Sequence, residues 1–178
     1  MSKNKHLNLA VAICLIAIAV SLRLLPHPAN FAPVAAVAIF GGAVLPRRLA
    51  IWTPVVAMMV SDLFIGLHNL ILVTWGCYAL IALCSSVWLR KPSLKRGLSL
   101  TLGSSLFFFT VTNFAVWVWS GMYNHTLIGL SQCFTMAIPF FRNTALSDLI
   151  YTGALFGSYG LATYYSRRVL NLTDKQTS

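Results

Sequence analysis

Asp62 and Asp148 are the only acidic residues ahead of the C-terminal tail, and both fall inside long apolar stretches. An aspartate in a membrane helix costs about 2.5–3.5 kcal/mol on insertion scales. Each therefore needs a partner or a task. Two arginines, Arg23 and Arg142, lie where they could meet them, so a structural ion pair is one reading and a ligand-binding carboxylate is the other. The two are compatible, because a paired network can line a pocket. His27 sits between Pro26 and Pro28, which stiffen the backbone around it. That suits contact with a ligand, and it suits a plain helix connector equally. Asn113 and Asn143 also interrupt apolar sequence and must find hydrogen-bond partners.

Four cysteines, Cys14, Cys77, Cys84 and Cys133, form no Cys-x-x-Cys pair. Buried free cysteines usually act as small packing groups. Cys77 differs in its setting, Trp75-Gly76-Cys77-Tyr78, where a thiol between aromatics could meet a large flat ligand. The histidines show no zinc-ligand spacing. Trp75, Tyr78, Trp117, Trp119 and Tyr123 belong to a dense aromatic set that reads as an interfacial belt or as pocket wall. The chain has no nucleophile elbow, no His-Glu-x-x-His and no phosphate loop, so no ATP site of its own is expected.

The elements that must position these groups are apolar runs at about 7–25, 31–45, 49–66, 70–89, 98–119 and 143–165. Lysine and arginine collect in alternate gaps: Lys3 and Lys5, then Arg47 and Arg48, then Arg90, Lys91, Lys95 and Arg96, and finally Arg167, Arg168 and Lys175. Short cytoplasmic loops gather such residues. The pattern predicts an all-α membrane protein, a six-helix bundle with both termini inside. A mean hydropathy of +0.77, with 58% apolar and 9% charged residues, excludes an ordinary soluble domain. The net charge of +10 is spread through loops beside apolar runs, where it fits lipid headgroups and not nucleic acid.

Residues 1–170 read as a single transmembrane domain, with 171–178 as a disordered tail. The run 31–45 is rich in alanine and glycine, which predicts an interior helix packed closely on its neighbours. Segment 120–142, broken by Gln132 and Pro139, reads as a partly helical outer cap ahead of the last span. Residues 1–19 have some features of a cleaved signal, but the apolar run continues through Leu25.

This arrangement resembles the substrate-binding S components of energy-coupling factor (ECF) vitamin transporters. It is closer to a family of small bacterial membrane proteins related to them. The matching stretches are residues 23–33 (Arg23 to Pro33), 40–43, 61–68 (Ser61 to His68), 112–117, 139–144 and 148–151. Within that neighbourhood lie solitary cobalamin (vitamin B12) transporters of the BtuM type. The resemblance implies that Cys77 supplies a thiolate to the cobalt of a corrinoid and promotes loss of its cyanide. A soft thiolate suits such a metal. His27 and Asp62 are then expected near the corrinoid. The first helix keeps small-x-x-x-small spacings (Ala10 and Cys14, Ala17 and Ser21) but lacks the strict Ala-x-x-x-Ala pattern used to dock on an energising module. That departure favours a solitary protein.

The leading expectation is therefore vitamin uptake across the bacterial inner membrane, with cobalamin as ligand and no intrinsic cofactor. Asp62, His27, Asn113, Asn143 and Asp148 would supply polar contacts, Trp75, Tyr78 and Trp117 the walls, and 120–142 the lid. Two other readings stand beside it. One is a membrane enzyme using His27 and Asp62 on a lipid-linked substrate. The other is a structural subunit whose polar residues only pair with one another.

Overall fold

The computed structural model describes residues 2–89 and 92–176. Arg90 and Lys91, part of the basic pattern, and residues 177–178 of the expected tail lie outside the described residues. Among those described, the protein is all helix: α1 (Ser2–Leu24), α2 (Val34–Val44), α3 (Arg47–Ile65), α4 (Ile71–Trp88), α5 (Leu94–Trp119) and α6 (Leu127–Gln176). Four of these, α1, α3, α4 and α5, are long and apolar enough to cross a membrane. Their outward residues are apolar too. Leu72 is 77% exposed and Leu63 is 74% exposed, a surface that water would not tolerate in such number and lipid does. The protein is a helical membrane protein.

Helix α2 is the centre of the bundle and packs against all five other helices. Its small residues allow this close approach. Val34 to Gly42 are all buried. At Gly42 an added Cβ would collide with the Ser85 side chain and lie 2.9 Å from the Ala82 carbonyl oxygen. Phe40 closes the far side of α2, edge-on to Phe156 at 5.2 Å and to Tyr159 at 5.9 Å.

The run expected to span over 31–45 is helical only over 11 residues, too short to cross alone, since a crossing needs about 20. Pro26, Pro28 and Pro33 explain the difference. Proline cannot donate a helical hydrogen bond and restrains its predecessor, so residues 25–33 form an extended turn. Asn30 takes a left-handed conformation in it, with φ of 60°, which asparagine tolerates better than most residues. The turn is seated on α6: Asn143 Nδ2 donates to the Ala29 carbonyl at 3.0 Å, and Phe31 meets Tyr151 edge-on at 6.1 Å.

Helices α5 and α6 form the most extensive pair and run antiparallel. Thr101 and Thr152 hydroxyls meet at 2.9 Å, Ser105 donates to Asp148 at 2.7 Å, and Phe109 packs on Phe141 at 4.8 Å. Further along, Cys133 Sγ donates to the Asn113 carbonyl at 3.4 Å. Two segments take a form other than the one expected for them. The cap over 120–142 is not a separate lid, because α6 starts at Leu127 and continues through Pro139 without a break. Proline forfeits one backbone bond, and the packing of Phe134 and Phe141 on Phe109 holds the helix on both sides of it. Residues 171–176, expected as a disordered tail, continue the same helix, since no proline or glycine stops it there.

Candidate functional site

The deepest charge in the bundle is satisfied internally. Asp62, near the end of α3, is 1% exposed. Arg23, in the last turn of α1, places Nη2 2.9 Å from Asp62 Oδ1. That is an ion pair without an aligned hydrogen bond, since Oδ1 receives no well-directed N–H. The other oxygen is better served: Trp75 Nε1 on α4 donates to Oδ2 at 2.8 Å. Arg23 Nη1 also donates to Ser61 Oγ at 2.7 Å and lies 2.7 Å from Met58 Sδ. One network thus ties α1, α3 and α4 together. A carboxylate in lipid would be costly without it.

Beside this network a hollow of about 540 Å³ opens at the end of the bundle that carries the 25–33, 66–70 and 120–126 turns. All six helices or the turns that precede them reach it. Arg23 and His27 enter from the α1 end, Val34 from the N-terminus of α2, Met58 from α3, Tyr78 from α4, Asn113 from α5 and Asp148 from α6. Aromatic rings form much of the wall. Tyr78 stacks on Phe108 at 4.9 Å, and Phe109 tilts against Phe141 at 4.8 Å. Asp148 lies on the lining although only 2% exposed. Among the described residues its one hydrogen-bond donor is Ser105, and no basic group stands within ion-pair distance.

Of the residues singled out from sequence, His27, Tyr78, Asn113 and Asp148 line this hollow. His27 braces its turn, with Nδ1 2.8 Å from the Pro28 carbonyl and Nε2 3.1 Å from the Arg23 carbonyl. Asn113 donates from Nδ2 to the Phe109 carbonyl at 2.7 Å. The others lie elsewhere. Asp62 and Trp75 sit behind Arg23 in the ion-pair network. Asn143 clamps the 25–33 turn. Trp117 donates from Nε1 to the Asn124 carbonyl at 3.0 Å and packs edge-on to His125, so it closes the α5–α6 turn instead of walling the hollow. Cys77 is 2% exposed and absent from the lining; its neighbour Tyr78 occupies that position. The described residues include no cluster of three or more metal-ligating side chains, and all four cysteines are free thiols.

Sequence reasoning picked out Asn113 on α5 but missed the rest of the wall that helix supplies. Phe108, Phe109, Thr112, Asn113 and Val116 all face the hollow. Their spacing is that of one helix face, and Thr112 with Asn113 marks it as polar within an apolar helix. A smaller cavity of about 370 Å³ lies at the opposite end, between Trp88 and Gly103, with Lys95 and Arg96 on its border. It holds none of the acids, imidazoles or amides discussed above.

Residues 3–171 match the profile of one protein family. The chain belongs to DUF6580, a family of unknown function. The DUF6580 match takes in every residue that lines the hollow. No curated protein and no solved structure matches the chain significantly.

Proposed function

We propose that this DUF6580 protein is a solute uptake protein of the bacterial inner membrane, and that the hollow receives a vitamin-sized organic molecule from the outer face. In this reading the chain crosses six times with both termini inside, as the lysine and arginine pattern indicates. The short α2 crosses with the help of the extended turn before it, which lines a cavity as irregular backbone at membrane depth must. One observation carries the reading: a hollow reached by every helix, with a buried carboxyl group on its lining that has no cationic partner among the described residues. Intramembrane acids of this kind mark solute and ion pathways. The volume falls within the ordinary range for small-molecule sites, about 300–1,000 Å³. With no phosphate loop in the chain, uphill transport draws on an ion gradient or on another protein.

A purely structural role accounts for Arg23, Asp62 and Trp75, which satisfy one another. It leaves Asp148 without an explanation. Cobalamin is the solute implied by the resemblance to S components and to cobalamin transporters. That version requires the hollow to widen for a corrin ring and α4 to turn Cys77 into it.

The test is direct. Protein purified from cells grown with cobalamin should carry a corrinoid absorption band that is lost in Cys77→Ala. An absent band removes cobalamin as the solute. The broader reading is tested by Thr112→Trp, which fills the hollow. Cells carrying it should lose accumulation of whichever radiolabelled vitamin the wild type takes up, and wild-type cells that accumulate none of a vitamin panel would overturn uptake itself.

A further inference from the structure

The charge balance of the hollow selects among solutes, and this inference rests on the uptake reading above. Four ionisable groups other than tyrosine border the hollow: Arg23, His27, His68 and Asp148. Arg23 is already matched by Asp62 at 2.9 Å. Its guanidinium therefore presents the positive end of a closed pair and not a free charge. The two histidines are engaged by their own turns: His27 holds Nδ1 and Nε2 against the Pro28 and Arg23 carbonyls, and His68 Nδ1 accepts from the Leu70 N–H. Asp148 is left as the one carboxyl group on the lining with no basic group within ion-pair distance among the described residues. Ser105 serves its Oδ2, and no described residue donates to Oδ1.

The walls point the same way. Tyr78, Phe108, Phe109, Phe140 and Phe141 surround the space with aromatic rings. Ring faces are electron-rich and attract organic cations, most strongly where water is excluded. An anionic solute would have to approach both an unpaired carboxylate and these ring faces. A cationic solute would be favoured by both.

We propose that the hollow selects a flat or compact organic cation, with Asp148 as its counter-ion and the Tyr78–Phe108 and Phe109–Phe141 pairs as its aromatic enclosure. The carboxylate is buried and lacks a protein cation because the solute brings one.

Two probes share one ring and differ in charge: benzyltrimethylammonium and phenylmethanesulfonate. Calorimetric titration of the purified full chain in nanodiscs should show the cation binding at least about tenfold more tightly than the anion. This comparison needs no variant. Thr112→Trp should abolish cation binding, which places it in the hollow. Asp148→Asn should weaken the cation about tenfold or more, and Asp148→Glu should recover most of the loss, with both variants retaining the wild-type melting temperature. Equal binding of the two probes, meaning that Asp148 is held protonated, overturns the proposal. So does preferred binding of the anion, although the uptake reading survives that result. Absence of binding by either probe overturns the cation assignment, and the vitamin panel described above then decides whether uptake falls with it.

Discussion

Ser105 on α5 donates a 2.7 Å hydrogen bond to Asp148 on α6, and this is the one hydrogen bond that the described protein offers that carboxylate. The contrast with Asp62 organises the molecule. Asp62 has Arg23 and Trp75 and holds three helices together. Asp148 has a hydroxyl at its back and the hollow in front. In the function proposed here, the same residue type serves structure in one place and recognition in the other.

Removing half of the ion pair should cost more than removing all of it. Arg23→Ala leaves Asp62 buried without a cation, and losses of about 3–5 kcal/mol follow when one partner of a buried pair is removed. The double replacement Arg23→Met with Asp62→Leu should recover much of that loss. Unfolding followed by circular dichroism in detergent, run on both single variants and the double, measures the difference.

The approach of α2 to α4 at Gly42 should tolerate no added atom. Gly42→Ala drives a methyl group into Ser85 and the Ala82 carbonyl. Overpacking of this kind costs about 1–3 kcal/mol. Ser85→Gly made together with it should restore part of the loss, because Ser85 is fully buried and its hydroxyl has no hydrogen-bond partner among the described residues. Melting temperatures of the two single variants and the double decide this.

Two aromatic residues that look alike in sequence should behave differently. Tyr78→Ala removes a wall of the hollow and should weaken ligand binding about tenfold, as loss of a buried aromatic contact does. Trp117→Phe forfeits the bond to the Asn124 carbonyl. It should cost about 0.5–1.5 kcal/mol of stability and leave affinity within error. Paired calorimetric and thermal measurements separate the two effects.

The crossing pattern is open to labelling. In a chain with Cys14, Cys77, Cys84 and Cys133 replaced by serine, Asn124→Cys should react with a membrane-impermeant maleimide added outside the cells. Lys95→Cys should react only after lysis. The opposite result would turn the hollow toward the cytoplasm.

Much of this architecture was legible in one dimension. Apolar runs located every helix, because lipid forces each backbone group to be satisfied within its own segment. The sparse acids, imidazoles and amides were readable as one end of the bundle, since consecutive helices alternate in direction. Arg23 was one of two candidate partners for Asp62, and proximity in space chose it. The extent of α2 and the start of α6 were not readable. Both depend on where prolines are tolerated: Pro33 stands before α2, and Pro139 is held inside α6 by packing across to α5.

By itself, then, the sequence determined a helical membrane protein with its reactive groups gathered at one end, because composition and spacing act locally along the chain. Only the tertiary structure decided which groups share a hollow. Neighbouring residues on a helix point about 100° apart, so the rotation of α4 places Tyr78 on the wall and buries Cys77 away from it. That rotation is set by contacts with α2, α3 and α5, residues distant in sequence, and no periodicity within α4 reveals it.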